Sequence, residues 1–102
     1  MSLQLCGYVF PGPFDNTRSL VDRSGVYVIV DKRYDGYHVI DVGESHAVKA
    51  RIENHERKSC WSSNSLGTLA VFVLYTPNLQ QTGRISIEKM IRQAYSPPCG
   101  ER

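Results

Sequence analysis

Residues 25–43, GVYVIVDKRYDGYHVIDVG, constrain the fold more than any other stretch of this chain. The first half is rich in β-branched and aromatic residues, which favour strands, and an Asp-Gly turn signal separates it from a second strand-like run. Two such runs around a short polar loop predict an antiparallel hairpin. Because side chains alternate along a strand, residues two apart share a face. The predicted faces are Tyr27 with Ile29, and Val39 with Asp41 and Gly43.

A helix is predicted over residues 46–57, with Ser45 as its cap. Arg51 and His55 are spaced i, i+4 in it, so they form one row on its surface. The following stretch, KSCWSSNSLG, is predicted to be a polar loop that carries the only tryptophan, Trp61.

Two elements complete the predicted domain. Residues 68–76, TLAVFVLYT, are apolar on both faces, so they are predicted to form the central strand. Residues 83–95 carry an apolar stripe at helical spacing, and a Pro-Pro pair ends that helix. The order β-β-α-β-α predicts an α+β fold, a small three-stranded mixed or antiparallel sheet flanked by helices.

Length, charge and cysteine usage bound the class of protein. A chain of 102 residues makes one domain, here divided into an irregular N-terminal extension (1–24) packed on a domain over 25–102. No apolar run is long enough for a membrane span, and no secretory signal is predicted. The cysteines are three and far apart, which predicts reduced thiols in a cytoplasmic protein. The net charge of +2 permits nucleic-acid contact without strong non-specific binding.

Two glycine-containing tripeptides, followed by an arginine and then by a late helical glutamate, form the most specific pattern in the sequence. They are GVY at 25–27 and DVG at 41–43, then Arg51 eight residues after Gly43, and Glu88 in the helix before the Pro-Pro pair. In this order they resemble the motifs of the GIY-YIG nuclease superfamily, over nearly all of the chain after the extension. The resemblance implies a GIY-YIG-like fold and a metal-dependent endonuclease that hydrolyses DNA phosphodiester bonds.

The resemblance also implies a role for each matching residue. Tyr27 is the candidate base for the attacking water, although its reference pKa of about 10 requires nearby positive charge. Arg51 would hold the scissile phosphate through paired hydrogen bonds, and His55 would orient water or donate to the phosphate. Glu88 would bind Mg²⁺ or Mn²⁺, because one carboxylate with several waters suits these ions. Beyond the motif, Lys49 and Trp61 are candidate substrate-binding residues, through a phosphate and by stacking on a base.

Two positions depart from the family pattern. Asp41 stands where the family usually has a tyrosine, and Gly100 where it usually has an asparagine. A carboxylate beside Tyr27 would raise the pKa of the phenol. Asp41 then either binds the metal or activates the water itself, or the site is catalytically silent and the domain binds nucleic acid or protein.

Each candidate residue also has an ordinary structural explanation. Tyr27 can pack the sheet, and Trp61 can be a partly buried anchor. Arg51 and His55 can form an exposed row that pairs with neighbouring glutamates, and Glu88 can join an ion-pair ladder along its helix. The sequence carries no separate DNA-recognition module. The expected substrate is therefore branched or otherwise structured DNA, with specificity from dimerisation or a partner protein.

Overall fold

The computed structural model describes residues 1–100, so the last two residues of the predicted domain lie outside the described part. The described chain has an α+β fold, with a three-stranded antiparallel sheet, a two-stranded hairpin and three α-helices. The strands are β1 (Ser2–Leu5), β2 (Tyr8–Pro11), β3 (Gly25–Arg33), β4 (Gly36–Ser45) and β5 (Thr68–Tyr75). The helices are α1 (Val48–Glu53), α2 (Lys58–Ser63) and α3 (Gln81–Tyr95).

The predicted hairpin is confirmed, and it forms two thirds of the main sheet, whose strand order is β4-β3-β5. Tyr27 lies opposite Gly43 and Ile29 lies opposite Asp41, so these residues share one face. A register shift directly after Ile29 places Val30 opposite Val39. The prediction that Val39 shares a face with Asp41 is therefore wrong, because the bulge inverts the alternation between them.

Strand β5 lies at the edge of the sheet, so the prediction of a central position is wrong. It is apolar on both faces because the N-terminal segment covers it. Phe14 pairs with Val71 through two backbone hydrogen bonds of 2.8 and 3.0 Å. The first 24 residues are also more regular than predicted, since β1 and β2 pair in register and bury Leu5 and Phe10 in the core.

The sheet has an apolar layer on each face. One layer packs against α3 and the N-terminal hairpin, and it contains Val26, Val28, Val30, Val42, Phe72, Ile87 and Ile91. The other packs against α1 and α2, and it contains Tyr27, Ile29, Ile40, Val48, Ile52, Trp61 and Val73. Tyr27 and Glu88 therefore approach the same edge strand, β4, from opposite faces.

The single helix predicted over residues 46–57 is wrong in extent, because α1 covers only Val48–Glu53 and a second helix, α2, begins at Lys58. Helix α1 ends at Glu53, and Asn54 follows as its C-cap. The backbone N–H and the side-chain amide of Asn54 both donate to the carbonyl oxygen of Ala50, over 3.1 and 2.9 Å. Ser45 does not cap α1 and instead accepts from the N–H of Ala47. Helix α2 then replaces the predicted polar loop around Trp61.

A disulfide joins Cys60 of α2 to Cys99 in the segment after α3. The expectation of three reduced thiols is therefore wrong, and Cys6 is the one free thiol among residues 1–100. The two bonded cysteines are 39 residues apart in sequence, and this spacing gave no indication that they pair. Within the same residues, no helix combines the length and the apolar character that crossing a membrane requires.

Candidate active site at the edge strand

Tyr27 lies at the centre of the candidate site. Its ring crosses the strand partner Gly43, where an added Cβ would overlap the phenol hydroxyl. That hydroxyl is 2.8 Å from Nε2 of His55, and the residue is only 1% exposed. Burial raises the pKa of Tyr27 from 10.0 to about 12, with the positive charge of Arg51 opposing the rise and the negative charge of Asp41 adding to it. The phenol is therefore protonated at neutral pH.

His55 lies beyond the end of α1 and turns inward, where it packs against the Trp61 indole at a ring distance of 4.7 Å. Its Nδ1 accepts from the backbone N–H of Arg57 over 3.1 Å. Burial, together with the charges of Arg51 and Arg57, lowers the pKa of His55 from 6.5 to about 4. The imidazole is therefore neutral at pH 7. Because Nδ1 accepts, Nε2 carries the proton and donates to the Tyr27 oxygen.

Arg51 projects from α1 near the Tyr27 hydroxyl, as the resemblance requires. Its guanidinium is paired with the Glu56 carboxylate through bonds of 2.6 and 2.9 Å. The Glu56 side chain is mostly exposed, and its bonds to Arg51 lower its pKa to about 2. A planar carboxylate held by both arms of a guanidinium has the geometry with which arginine binds a phosphate. Both arms of the Arg51 guanidinium are therefore engaged by Glu56 in this structure.

Asp41 is buried and its carboxylate is saturated with donors. Its oxygens accept from Arg57 Nε at 2.8 Å, from Trp61 Nε1 at 2.8 Å, from Arg92 Nη2 at 2.6 Å and from the N–H of Val42. Burial alone would raise the pKa of Asp41, but these hydrogen bonds outweigh it and hold the pKa below its usual range. This geometry gives no support to Asp41 as a catalytic residue, and that role stays a prediction.

Glu88 on α3 reaches the same edge from the other face of the sheet. Its Oε2 accepts from Arg92 Nε over 3.1 Å, and its side chain is 23% exposed. Its negative charge adds to the rise in the Tyr27 pKa, which places it in electrostatic range of the phenol. Half of the expected ion-pair ladder is present, because Arg84 pairs with Glu44 at 2.8 Å instead.

Gly100, at the position of the family's asparagine, packs directly against Arg92. A Cβ added at Gly100 would lie 2.8 Å from the Cζ atom of Arg92, and its φ of +93° favours glycine. Arg92 also donates to the carbonyl oxygens of Cys99 and Val42. The guanidinium therefore lies where a side chain at position 100 would begin.

The two candidate substrate-binding residues differ in outcome. Trp61 is 5% exposed and its indole is part of the core, which fits its structural explanation as an anchor, and stacking on a base stays a prediction. Lys49 is half-buried on α1, two residues before Arg51, and makes no ion pair within residues 1–100. Its role as a phosphate contact stays a prediction.

Three residues of the site were missed by sequence reasoning as functional groups: Glu56, Arg57 and Arg92. Arg92 carried a weak signal, because it lies four residues after Glu88 on the same helix. Glu56 was expected only as an ion-pair partner of an exposed row, and Arg57 carried no signal, since its role depends on the break between α1 and α2. No family model, curated protein or solved structure matches this chain. The resemblance to GIY-YIG nucleases therefore rests on the motif residues alone.

Proposed function

We propose that this protein is a divalent-metal-dependent endonuclease with a GIY-YIG-like fold, hydrolysing phosphodiester bonds of DNA. The observation that carries the proposal is the contact of the Tyr27 hydroxyl with Nε2 of His55, with Arg51 beside it. These residues come from a strand, a helix and the turn after that helix. Their convergence on one hydroxyl is the arrangement that a tyrosine base requires.

Tyr27 accepts the proton of the attacking water in this proposal. The phenolate form is disfavoured in the free protein, where its pKa is raised to about 12. Arg51 stabilises the phenolate by its charge, and the Nε2–H of His55 stabilises it by a hydrogen bond. His55 cannot itself remove the phenol proton, because its one basic nitrogen, Nδ1, is bonded to the N–H of Arg57.

Arg51 binds the scissile phosphate after the phosphate displaces Glu56. The Tyr27 phenol first loses its proton to solvent. Water then attacks phosphorus, the phenolate takes the proton of that water, and the bond from phosphorus to the leaving oxygen breaks, with the leaving oxygen taking a proton from solvent. The guanidinium offsets the negative charge that develops on the phosphate oxygens. Lys49, nearby on α1, contacts a neighbouring phosphate in this arrangement.

Glu88 is the residue that would hold Mg²⁺ or Mn²⁺. Residues 1–100 contain no cluster of three acidic, histidine or cysteine side chains that could form a closed metal cage. A hydrated ion fits better, because Glu88 is partly exposed and only its Oε2 is hydrogen-bonded to a described residue. The bound ion would stabilise charge on the leaving oxygen.

A second candidate function is a catalytically silent domain that binds nucleic acid or a protein. The burial of Tyr27 favours it, because a phenol 1% exposed with a raised pKa is a poor base until the site opens. This alternative predicts DNA binding that weakens with salt and does not depend on a divalent metal.

The test is cleavage of branched, single-stranded and duplex DNA by purified protein with Mg²⁺ or Mn²⁺. We expect at least one substrate to be cut, and chelation of the metal to stop the reaction. Glu88→Gln should abolish cutting, whereas the matched control Glu53→Gln, an exposed position on α1, should cut like the wild type. No cleavage of any substrate, or equal cleavage by Glu88→Gln, would refute the nuclease proposal.

A further inference from the structure

Asp41 is the most heavily bonded side chain of the described site, yet it cannot meet the substrate. It is fully buried, and its oxygens accept hydrogen bonds from side chains of three separate segments. These segments are the turn between α1 and α2 (Arg57), α2 itself (Trp61) and α3 (Arg92). Each of these donors also contacts a residue of the candidate active site.

Arg57 connects Asp41 to His55. Its side chain is held by Asp41 through Nε at 2.8 Å and Nη2 at 3.3 Å, and its backbone N–H donates to Nδ1 of His55. Anchoring the side chain fixes the turn, and the turn fixes the direction of that N–H. A neutral imidazole whose Nδ1 accepts must carry its proton on Nε2, the nitrogen that faces Tyr27.

Trp61 connects Asp41 to the same imidazole from another side. Its Nε1–H donates to Asp41 over 2.8 Å, and its ring lies 4.7 Å from the His55 ring at a tilt of 46°. The indole limits rotation of the imidazole, so orientation and tautomer of His55 both depend on donors that Asp41 holds.

Arg92 connects Asp41 to Glu88. Its Nη2 donates to Asp41 over 2.6 Å while its Nε donates to Glu88 over 3.1 Å. A guanidinium is planar and rigid, so the position of one nitrogen fixes the other. Asp41 therefore determines which edge of the Arg92 guanidinium faces Glu88.

We propose that Asp41 is a positioning residue, which fixes His55 as the Nε2–H tautomer directed at Tyr27 and orients Glu88 through Arg92. Its importance for cleavage rests on the proposed function, whereas its control of the His55 tautomer does not. The carboxylate in the family's tyrosine position thus neither replaces the base nor coordinates metal. It organises the groups on both sides of the edge strand.

The test is ¹⁵N NMR of histidine-labelled protein at neutral pH, with the His55 signals assigned by their loss in His55→Gln. The wild type should show His55 as the Nε2–H tautomer. Arg57→Ala, at a half-exposed position, should shift it toward the tautomer mixture of an unrestrained imidazole, and Asp41→Asn should do the same. Lys58→Ala removes the adjacent charge without touching Asp41 and should leave the tautomer unchanged.

A retained Nε2–H tautomer in Arg57→Ala would overturn the proposal, as would an equal shift in Lys58→Ala. Arg57→Ala decides the question if Asp41→Asn does not fold. In cleavage assays, Asp41→Asn should lower kcat at least about tenfold, while metal-free DNA binding stays within about twofold of the wild type. If the wild type does not cut DNA, the proposed function fails and the tautomer measurement alone decides the role of Asp41.

Discussion

Removing the Cys60–Cys99 disulfide should lower the free energy of unfolding by a large and calculable amount. The bond closes a loop of 39 residues. In the chain-entropy treatment, opening such a loop returns about 13 cal/mol/K to the unfolded chain, or roughly 4 kcal/mol at 25 °C. For a domain of this size, that change lowers the melting temperature by about 15–30 °C. The perturbation is the double variant Cys60→Ser/Cys99→Ser, with Cys6→Ser as the matched control because Cys6 is free.

The assay is urea unfolding without reductant, with reactive thiols counted in the denatured, unreduced chain. The wild type should present one thiol, Cys6, and unfold at a much higher urea concentration than the double variant. Adding a dithiol reductant should bring the wild type to the midpoint of the variant. Three reactive thiols in the unreduced wild type, or equal midpoints without reductant, would refute the disulfide and this reasoning.

The remaining predictions concern the site. The pKa of Tyr27 is raised to about 12, so the phenolate fraction rises about tenfold for each pH unit between pH 6 and 8. If Tyr27 is the base, the rate of single-turnover cleavage should rise by the same factor. A rate that does not change with pH would contradict this prediction. Glu56→Gln should bind DNA several-fold more tightly, because the carboxylate no longer competes with a phosphate for Arg51. Fluorescence anisotropy measures this affinity, and an unchanged value would mean that no phosphate binds at Arg51. Gly43→Ala should stop cleavage and lower the free energy of unfolding in urea by about 1–3 kcal/mol, because the added Cβ would overlap the Tyr27 phenol. The control Gly83→Ala on α3 should change neither cleavage nor stability in this way.

The sequence predicted the hairpin, the shared face of Tyr27 and Ile29, and the shared face of Asp41 and Gly43, because these depend on local signals. A dense strand pattern, a turn dipeptide and the alternation of side chains were sufficient. The bulge after Ile29 was not predictable, because either register would have kept most apolar residues on the buried faces. Strand β5 was misplaced for a similar reason, since Phe14 and its neighbours cover an edge that looked central.

The break between α1 and α2 was missed because helical spacing of polar residues says nothing about where the chain turns. The helix ends before Asn54, and the turn that follows places His55 inside the protein instead of on an exposed row. The disulfide was missed because a long-range pairing leaves no trace in cysteine spacing. Because two of the three cysteines form a disulfide, cysteine usage no longer supports the predicted cytoplasmic location, which stays a prediction.

Tyr27, Arg51 and His55 lie close together in the structure, but their partners were not predictable. Asp41 was expected to act on the substrate or to end the chemistry, and the structure instead shows it buried among donors from other segments. Its charge is balanced by Arg57 and Arg92, which are 16 and 51 residues away in sequence. Such pairings depend on how the turn and the last helix pack against β4, and no local pattern records them.

Cleavage by Tyr27→Phe tests the central claim most directly, because this change removes a single oxygen and leaves the buried ring in place. On the substrate that the wild type cuts, with either Mg²⁺ or Mn²⁺, we expect the cleavage rate of Tyr27→Phe to fall at least about a hundredfold below that of the wild type. Tyr34→Phe, at a fully exposed tyrosine on the hairpin turn, should cut at the wild-type rate. Wild-type cleavage by Tyr27→Phe would contradict the account.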